Sequence, residues 1–364
     1  MSGGVDSSVA AAILQEAGHE VIGISMQLYD QRGTDSSFGN CCTIDDLHDA
    51  RRVANVLKIP HYVVNFEQPF SEQILRPFVD EYAQGRTPIP CVHCNSELKF
   101  STLLDRAIGL GATGVATGHH ARVMHDSTRN CYMLKRGIDQ NKDQSYFLFP
   151  LTQEQLKYAV FPVGHLSKSD VRAYARNHCL PVSDKPDSQE LCFVPSGKHA
   201  SFIEQNHDDL ARTGKIVNTN GRPLGRHKGV HRFTVGQRKG LGISSPVPLY
   251  VLKIDAPERN VVVGPREALE QSHLTASTVN WISNKPKSTF TATAQIRYQH
   301  PAAQAQITPL ENNRVDIEFN TPQTAIAPGQ AVVFFDGETV LGGGWIDSPS
   351  ENSHFQHAAK TVRS

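Results

Sequence analysis

The first 205 residues alternate between helical and strand-like patterns, and this alternation constrains the fold more than any other feature of the chain. The opening segments, alternately helical and strand-like, are residues 7–17, 21–26, 45–57 and 61–65. Repeated units of this kind form a parallel sheet with helices on both faces. The sequence therefore predicts an α/β domain with a doubly wound parallel sheet over residues 1–205.

The rest of the chain has a different pattern. Gly, Arg and Lys are frequent between residues 211 and 240, and short alternating runs follow. One run, residues 331–335, precedes Asp336 and Gly337, a pair typical of a tight turn between strands. We predict three further units: a central basic domain at 206–274, a small β-barrel or sandwich at 275–348 and a polar tail at 349–364.

Composition excludes several classes of protein. The 36 Lys and Arg residues balance 36 Asp and Glu residues, so a polyanion would have to be held by a local patch. No segment approaches ~18 consecutive apolar residues, and the first residues lack the pattern of a signal peptide. Seven cysteines, an odd number, argue against a disulfide framework. We expect a cytoplasmic protein without a membrane partner.

A glycine-rich loop opens the chain, Ser2-Gly3-Gly4-Val5-Asp6-Ser7-Ser8, and leads directly into the first predicted helix. Backbone N–H groups and the helix dipole favour an anion at such a place. The loop lacks the Lys with which an ordinary P-loop reaches the terminal phosphates, so it favours pyrophosphate binding. The alternative is a flexible terminus with a Ser N-cap.

The loop string resembles that of the PP-loop ATPases, which adenylate a carbonyl oxygen and release pyrophosphate. This resemblance leaves the substrate open among amide ligases, tRNA lysidine synthases and tRNA thiolases.

Two cysteine motifs are candidates for chemistry. Cys91-Val92-His93-Cys94 follows a proline-stiffened loop and precedes a predicted helix at 96–110. A helix N-terminus, His93 and Lys99 would then lower the thiol pKa of Cys94. The alternative is that the two cysteines form half of a zinc site or pack together as small residues. A zinc site would need a second properly spaced pair of cysteines, and the sequence has none.

Cys192 stands alone in a short strand-like run after the polar segment 183–187. Such a cysteine is more often a buried small residue than a nucleophile.

Six motifs together resemble the bacterial and organellar tRNA-specific 2-thiouridylases. They occur in the family's order from residue 2 onward, and the resemblance extends to about residue 347. The motifs are SGGVDSS, PCVHCN, ATGHH (116–120), NKDQSYFL (141–148), ELCF (190–193) and TVGQRKGLGI (234–243).

The resemblance implies ATP-dependent 2-thiolation of the wobble uridine in tRNA, with the Lys, Glu and Gln acceptors as expected substrates. ATP adenylates the C2 oxygen, and Cys192 carries a persulfide delivered by a sulfur-carrier protein or a cysteine desulfurase. Cys94 assists release of the sulfur, which leaves a Cys94–Cys192 disulfide to be reduced. Two thiols within disulfide reach are needed to cleave a persulfide in this way.

The resemblance also assigns binding residues, with Mg²⁺ as the ion that accompanies ATP. The implied ATP-site residues are Met1, Ser2, Gly3, Gly4, Val5, Asp6, Ser7, Met26 and Gly118. The implied tRNA-site residues are Ile89, Pro90, Cys91, His119, Lys142, Asp143, Gln144, Arg297, Tyr298 and Gln330, of which 89–91 face the target base.

This chain departs from the family pattern at two places. Cys91 stands where many relatives carry Asp, so Cys91, Cys94 and Cys192 could ligate an iron–sulfur cluster, a less favoured alternative. Met1 directly precedes the loop, where a first β-strand is expected. We expect the natural polypeptide to begin upstream.

A run of basic residues between 211 and 240 contains no Asp or Glu. Its eight cations favour attraction to a polyphosphate backbone, against the alternative of a solvated loop. They are Arg212, Lys215, Arg222, Arg226, Lys228, Arg232, Arg238 and Lys239.

Two alternative functions stay open at this point. A PP-loop amide ligase would need no thiols, and a metal-holding RNA-binding protein would perform no catalysis.

Overall fold

A computed structural model describes residues 1–29, 44–187, 191–194, 197, 199–207 and 212–347. Its helices are α1 Val5–Glu16, α2 Ile44–Leu57, α3 Glu67–Phe70, α4 Arg76–Ala83, α5 Pro90–His93, α6 Leu103–Gly109, α7 Gln153–Tyr158, α8 Lys168–Asn177 and α9 His199–Gln205. The segments Ser71–Leu75 and Cys94–Thr102 are π-helical, and they continue α3 into α4 and α5 into α6.

Sixteen strands are present in the described residues. The first eight are β1 Gly23–Gln27, β2 His61–Asn65, β3 Val115–Ala116, β4 Ala121–Asp126, β5 Cys131–Arg136, β6 Ala159–Val160, β7 Gly214–Asn218 and β8 Pro223–His227. The others are β9 Tyr250–Asp255, β10 Asn260–Gly264, β11 Glu270–Trp281, β12 Phe290–Gln295, β13 Ala303–Pro309, β14 Val315–Thr324, β15 Ala331–Asp336 and β16 Thr339–Ile346.

The α/β prediction is confirmed in the first part of the chain. Strand β1 pairs with β2 in parallel, and β3 pairs with β6 in parallel. Helix α1 packs against α2 and α8 around a core that contains Val9, Val53 and Val171. The amino group of Met1 donates a hydrogen bond to the carbonyl of Ile24, so the start of the chain lies along β1.

The central unit is a four-stranded sheet in the order β8-β7-β10-β9. Strand β10 pairs with β7 in parallel and with β9 in the antiparallel direction. Ile216, Val251 and Val261 are fully buried beneath it. The basic stretch therefore lies on a folded unit with its own core.

The C-terminal unit is a closed barrel, as predicted. Six strands follow in the order β11-β14-β13-β12-β15-β16, and pairing of β11 with β16 closes the ring. The predicted tight turn is confirmed, because Asp336 pairs with Thr339 across Gly337, whose φ is +54°. The hairpin β4–β5 also joins this sheet through Thr339 and Lys135, which links the first domain to the barrel.

No helix in the described residues is long and apolar enough to cross a membrane. The polar tail predicted at 349–364 lies outside the described residues.

Candidate functional site

The glycine loop forms an open turn at the start of α1. Gly3 has a φ of +71°, and a Cβ there would lie 2.3 Å from the carbonyl oxygen of Asp46, so only glycine fits. The N-cap residue is Gly4, which offers no side-chain cap to the first turn of the helix. The uncapped N–H groups and the helix dipole make this turn suitable for an anion.

Asp6 lies in that first turn, and the protein offsets its charge. The ammonium of Lys168 lies 2.7 Å from each carboxylate oxygen of Asp6, and Nε2 of His120 lies 3.3 Å from one of them. Burial alone would raise the pKa of the Asp6 carboxyl, but hydrogen bonds from His120 and Lys168 outweigh it and lower the pKa. A phosphate can therefore approach the loop without meeting an uncompensated carboxylate.

Lys168 also reaches a second carboxylate, that of Asp187, at 2.8 Å. Asp187 accepts hydrogen bonds from Lys142 at 2.7 Å and from Arg172 at 3.0 Å. Burial would raise the pKa of Asp187, yet its bonds to the two lysines lower it to about 2. Asp187 lies five residues before Cys192, so Lys168 joins the glycine loop to the segment that leads to this thiol.

Sequence reasoning missed Lys168, His120 and Asp187. The capping box of Ser167 and Asp170 marks the start of α8 and so the position of Lys168 in a first turn. No local signal pairs it with Asp6, which is 162 residues away.

Gly118 packs directly on the glycine loop. A Cβ at this position would lie 2.5 Å from the backbone nitrogen of Ser7 and 2.6 Å from the carbonyl carbon of Asp6. This contact agrees with an ATP-site position for Gly118, which stays a prediction.

Gly118→Ala is expected to weaken ATP binding about ten- to a hundredfold, because overpacking costs about 1–3 kcal/mol and displaces the loop. Gly109→Ala is the matched control, since a Cβ there has no neighbour within 4 Å. Calorimetric titration with a non-hydrolysable ATP analogue measures the difference. Equal affinities of the two variants would contradict this placement of the nucleotide.

Cys94 and Cys192 both pack, half-buried, against the same apolar cluster, which includes Phe70, Phe78 and Leu98. Met26, another predicted ATP-site residue, packs against this cluster too. Two cysteines 98 positions apart thus share one small region of the first domain.

The strand-like prediction for the run around Cys192 is wrong. Residues 191–194 form a turn, in which the N–H of Val194 bonds the carbonyl of Leu191 at 3.2 Å. Phe193 and Val194 are apolar because they enter the buried cluster, not because they pair in a sheet. Residues 188–190 of the motif lie outside the described residues.

The environment predicted for Cys94 also needs correction. The helix begins at Pro90, so Cys91 lies in its first turn and Cys94 starts the π-helical segment. Proline is favoured at such a first position, and π-helical turns are frequent at functional sites. The predicted start at residue 96 was therefore too late.

His93 does not supply the positive charge that we expected beside Cys94. Its ring stacks on Trp345 of β16, with centroids 4.6 Å apart and planes 10° apart. Burial lowers the pKa of His93, so the imidazole is neutral near pH 7. The ammonium of Lys99 donates to the side-chain oxygen of Asn95 at 2.9 Å.

Several residues assigned to tRNA have partners inside the chain. Asp143 is buried, where it pairs with Arg136 at 2.7 Å. Gln144 accepts a hydrogen bond from the N–H of His120 at 3.0 Å. His119 is buried beside Thr117, and burial lowers its pKa well below the usual value. These contacts show scaffolding roles, and contacts with tRNA stay predictions.

The other tRNA candidates lie at the junction with the barrel. The ring of Tyr298 lies 4.4 Å from that of Phe147, just after the Lys142–Gln144 run. Gln330 donates to the carbonyl of Thr87 at 2.9 Å, at the entrance to the proline-stiffened loop that contains Ile89 and Pro90. The barrel therefore positions that loop.

The basic stretch contains at least one paired cation, Arg232, and two cations for which the described residues supply no ion pair. Arg232 is paired with Glu204 at 2.5 Å. Among the described residues, the side chains of Arg238 and Lys239 have no ion pair.

No group of three or more His, Cys, Asp or Glu side chains in the described part of the chain is arranged to hold a metal ion. Cys91, Cys94 and Cys192, as the described residues place them, therefore do not frame an iron–sulfur cluster site.

Family models match three consecutive parts of the chain. Residues 1–196 match the tRNA methyl transferase HUP domain, and residues 200–265 match the tRNA methyl transferase PRC-barrel domain. Residues 271–346 match the aminomethyltransferase beta-barrel domain.

Full-length relatives carry a specific name. The tRNA-specific 2-thiouridylase MnmA of Geotalea uraniireducens (strain Rf4) is 52% identical over 351 residues, which is 95% of this chain and 93% of that protein. The MnmA proteins of Geobacter metallireducens and Solibacter usitatus are each 49% identical, and they match 96% and 95% of this chain and 95% and 98% of their own lengths.

The fold and the site define a nucleotide-binding α/β enzyme with an attached β-barrel. The chain belongs to the tRNA-specific 2-thiouridylases, a family of tRNA sulfurtransferases. This membership favours the thiolase over the amide ligase and over the non-catalytic binding protein.

Proposed function

We propose that this chain replaces the C2 oxygen of the wobble uridine in tRNA with sulfur, in a reaction that consumes ATP. One observation carries the proposal: the ammonium of Lys168 bonds both Asp6 of the glycine loop and Asp187, which lies five residues before Cys192 in the sequence. Lys168 thus ties the glycine loop to the start of the segment that leads to this thiol.

The first step is adenylation. The glycine loop holds the phosphates of ATP at the N-terminus of α1, and the C2 oxygen attacks the α-phosphorus as pyrophosphate leaves. Lys168 neutralises charge that develops on the departing phosphates, the contribution that a P-loop lysine makes elsewhere. The AMP attached through the C2 oxygen is then a good leaving group.

The second step is sulfur transfer. The terminal sulfur of a Cys192 persulfide attacks C2, and AMP leaves with the original oxygen. The Cys94 thiolate then attacks the sulfur of Cys192, which breaks the bond between Cys192 and the transferred sulfur. Thiolated tRNA is released with a Cys94–Cys192 disulfide, and an external thiol reduces that disulfide with two electrons.

We propose the partners that the family resemblance implies and the location that the sequence predicts. The persulfide requires a sulfur-carrier protein or a cysteine desulfurase as donor. Mg²⁺ accompanies ATP and offsets its charge, with Asp6 as the protein carboxylate in reach. The substrates are the Lys, Glu and Gln tRNAs, and the reaction takes place in the cytoplasm.

Arg238→Ala combined with Lys239→Ala is expected to weaken tRNA binding and flatten its salt dependence. Each lost phosphate contact lowers the slope of log K against log salt concentration by about 0.9 or less. Fluorescence anisotropy with labelled tRNA over a KCl series gives the slope. A slope equal to that of the wild type would contradict a phosphate-binding role for the two residues.

The function is tested by nucleoside analysis of tRNA incubated with the enzyme, ATP, Mg²⁺ and a persulfide donor. We expect 2-thiouridine at the wobble position, and none when ATP is omitted. Unmodified tRNA together with an ATP-dependent amide product would instead favour an amide ligase.

A further inference from the structure

A cavity of about 260 Å³ lies between the central sheet and the barrel. It shares no residue with the glycine loop or with the two cysteine turns. Residues from both units line it, among them Val235, Gly236, Tyr250, Arg266, Arg297 and Ala325.

Backbone contacts fix the walls of this cavity. The N–H of Gly236 bonds the carbonyl of Val251 at 2.8 Å, and the N–H of Ala325 bonds the carbonyl of Leu269 at 3.1 Å. Gly236 has a φ of +89°, and a Cβ there would lie 2.7 Å from the Cβ of Ala325. The central unit and the barrel thus meet closely at this point, and the cavity is preformed.

Two guanidinium groups, those of Arg266 and Arg297, line this cavity. Arg266 is exposed in the short turn before β11, and Arg297 is half-buried after β12. Within the described parts of the chain, neither guanidinium makes a hydrogen bond or an ion pair. Like charges around one cavity repel each other, whereas a shared anion would pair with both through parallel N–H···O bonds.

The surroundings select the kind of anion. Val235 and Gly236 belong to the basic stretch, and the unpaired Arg238 and Lys239 follow within three residues. Two more cations thus follow a residue of the cavity wall closely along the chain, and such a concentration of positive charge suits a chain of phosphates better than a single free phosphate. Tyr250 adds a ring and a hydroxyl that suit a ribose.

We propose that this cavity binds one phosphodiester of the RNA substrate, with Arg266 and Arg297 on its non-bridging oxygens. The proposal rests on the proposed function, because it assumes that RNA is the ligand. It gives Arg266 a role and makes the junction of the two units a part of the RNA site.

The test measures tRNA affinity against KCl concentration for Arg266→Ala. We expect affinity to fall about ten- to a hundredfold, from loss of a charge-assisted hydrogen bond. The salt slope should fall by up to about 0.9. Arg266→Lys should keep most of the slope and lose part of the affinity, because the charge stays while the bidentate geometry is lost.

Arg129→Ala is the matched control, since its side chain is 74% exposed on the β4–β5 hairpin. Its slope should equal that of the wild type. Arg266→Ala should raise the KM for tRNA and leave kcat at saturating tRNA near the wild-type value. A wild type that does not thiolate tRNA would refute the proposed function, whereas an unchanged KM in Arg266→Ala would refute only the role of the cavity.

Unchanged affinity and slope in Arg266→Ala would overturn the proposal. A second contrary outcome combines two results for Arg266→Ala. If its tRNA salt slope is unchanged while calorimetric titration shows that it no longer binds inorganic phosphate, the cavity binds a free anion and not RNA.

Discussion

Cys94→Ser and Cys192→Ser are each expected to lower the rate of sulfur transfer to tRNA by a factor on the order of 10³ or more. A hydroxyl can neither carry a persulfide nor form the disulfide that releases the sulfur. ATP–pyrophosphate exchange should continue in both variants, because adenylation uses the glycine loop and not the thiols. Radiolabelled sulfur transfer and exchange, measured on the same preparations, separate the two steps.

Cys131→Ser and Cys179→Ser are the matched controls for this loss. Cys131 lies on β5, and Cys179 is exposed beyond the end of α8. Both should keep wild-type turnover. Full turnover in either Cys94→Ser or Cys192→Ser would remove the thiols from the mechanism and favour an amide ligase.

Lys168→Ala is expected to slow adenylation about 10²- to 10³-fold, the usual effect of removing one group that stabilises transition-state charge. Among the residues that the structure describes, Asp6 would keep His120 as its partner, and its carboxylate would then repel the phosphates. Sulfur transfer should fall by the same factor, since it depends on the adenylated uridine. Exchange of labelled pyrophosphate into ATP measures the first step directly.

A double-variant comparison gives the cause of that loss. If Lys168 acts through Asp6, then Asp6→Asn combined with Lys168→Ala should be no slower than Asp6→Asn alone. Lys157→Ala, an exposed lysine on α7, serves as the surface control. Exchange at the wild-type rate in Lys168→Ala would contradict any role at the phosphates.

Local patterns predicted much of the fold. Helices α1 and α2 and strands β1 and β2 were recognised because apolar spacing and flanking glycines are properties of short segments. The turn at Gly337 was recognised for the same reason. The hairpin β4–β5 was not expected in the barrel sheet, since pairing between distant strands leaves no local mark.

The candidate site shows the same division. The glycine loop and both cysteine motifs could be identified from residue types and from the family resemblance. The Lys168 contacts could not, because the ion pairs join residues that only the tertiary fold brings together. Burial lowers the pKa of His93, and its ring stacks on Trp345 at the far end of the chain, so the Cys91–Cys94 motif by itself could not predict this environment.

One measurement tests most directly whether both thiols act on the adenylated uridine. Enzyme carrying a persulfide on Cys192 is mixed with tRNA, ATP and Mg²⁺ without reductant for a single turnover. Peptide mass spectrometry then quantifies the Cys94–Cys192 disulfide, and nucleoside analysis quantifies 2-thiouridine. We predict equal amounts of the two products. Formation of 2-thiouridine without that disulfide would contradict the account.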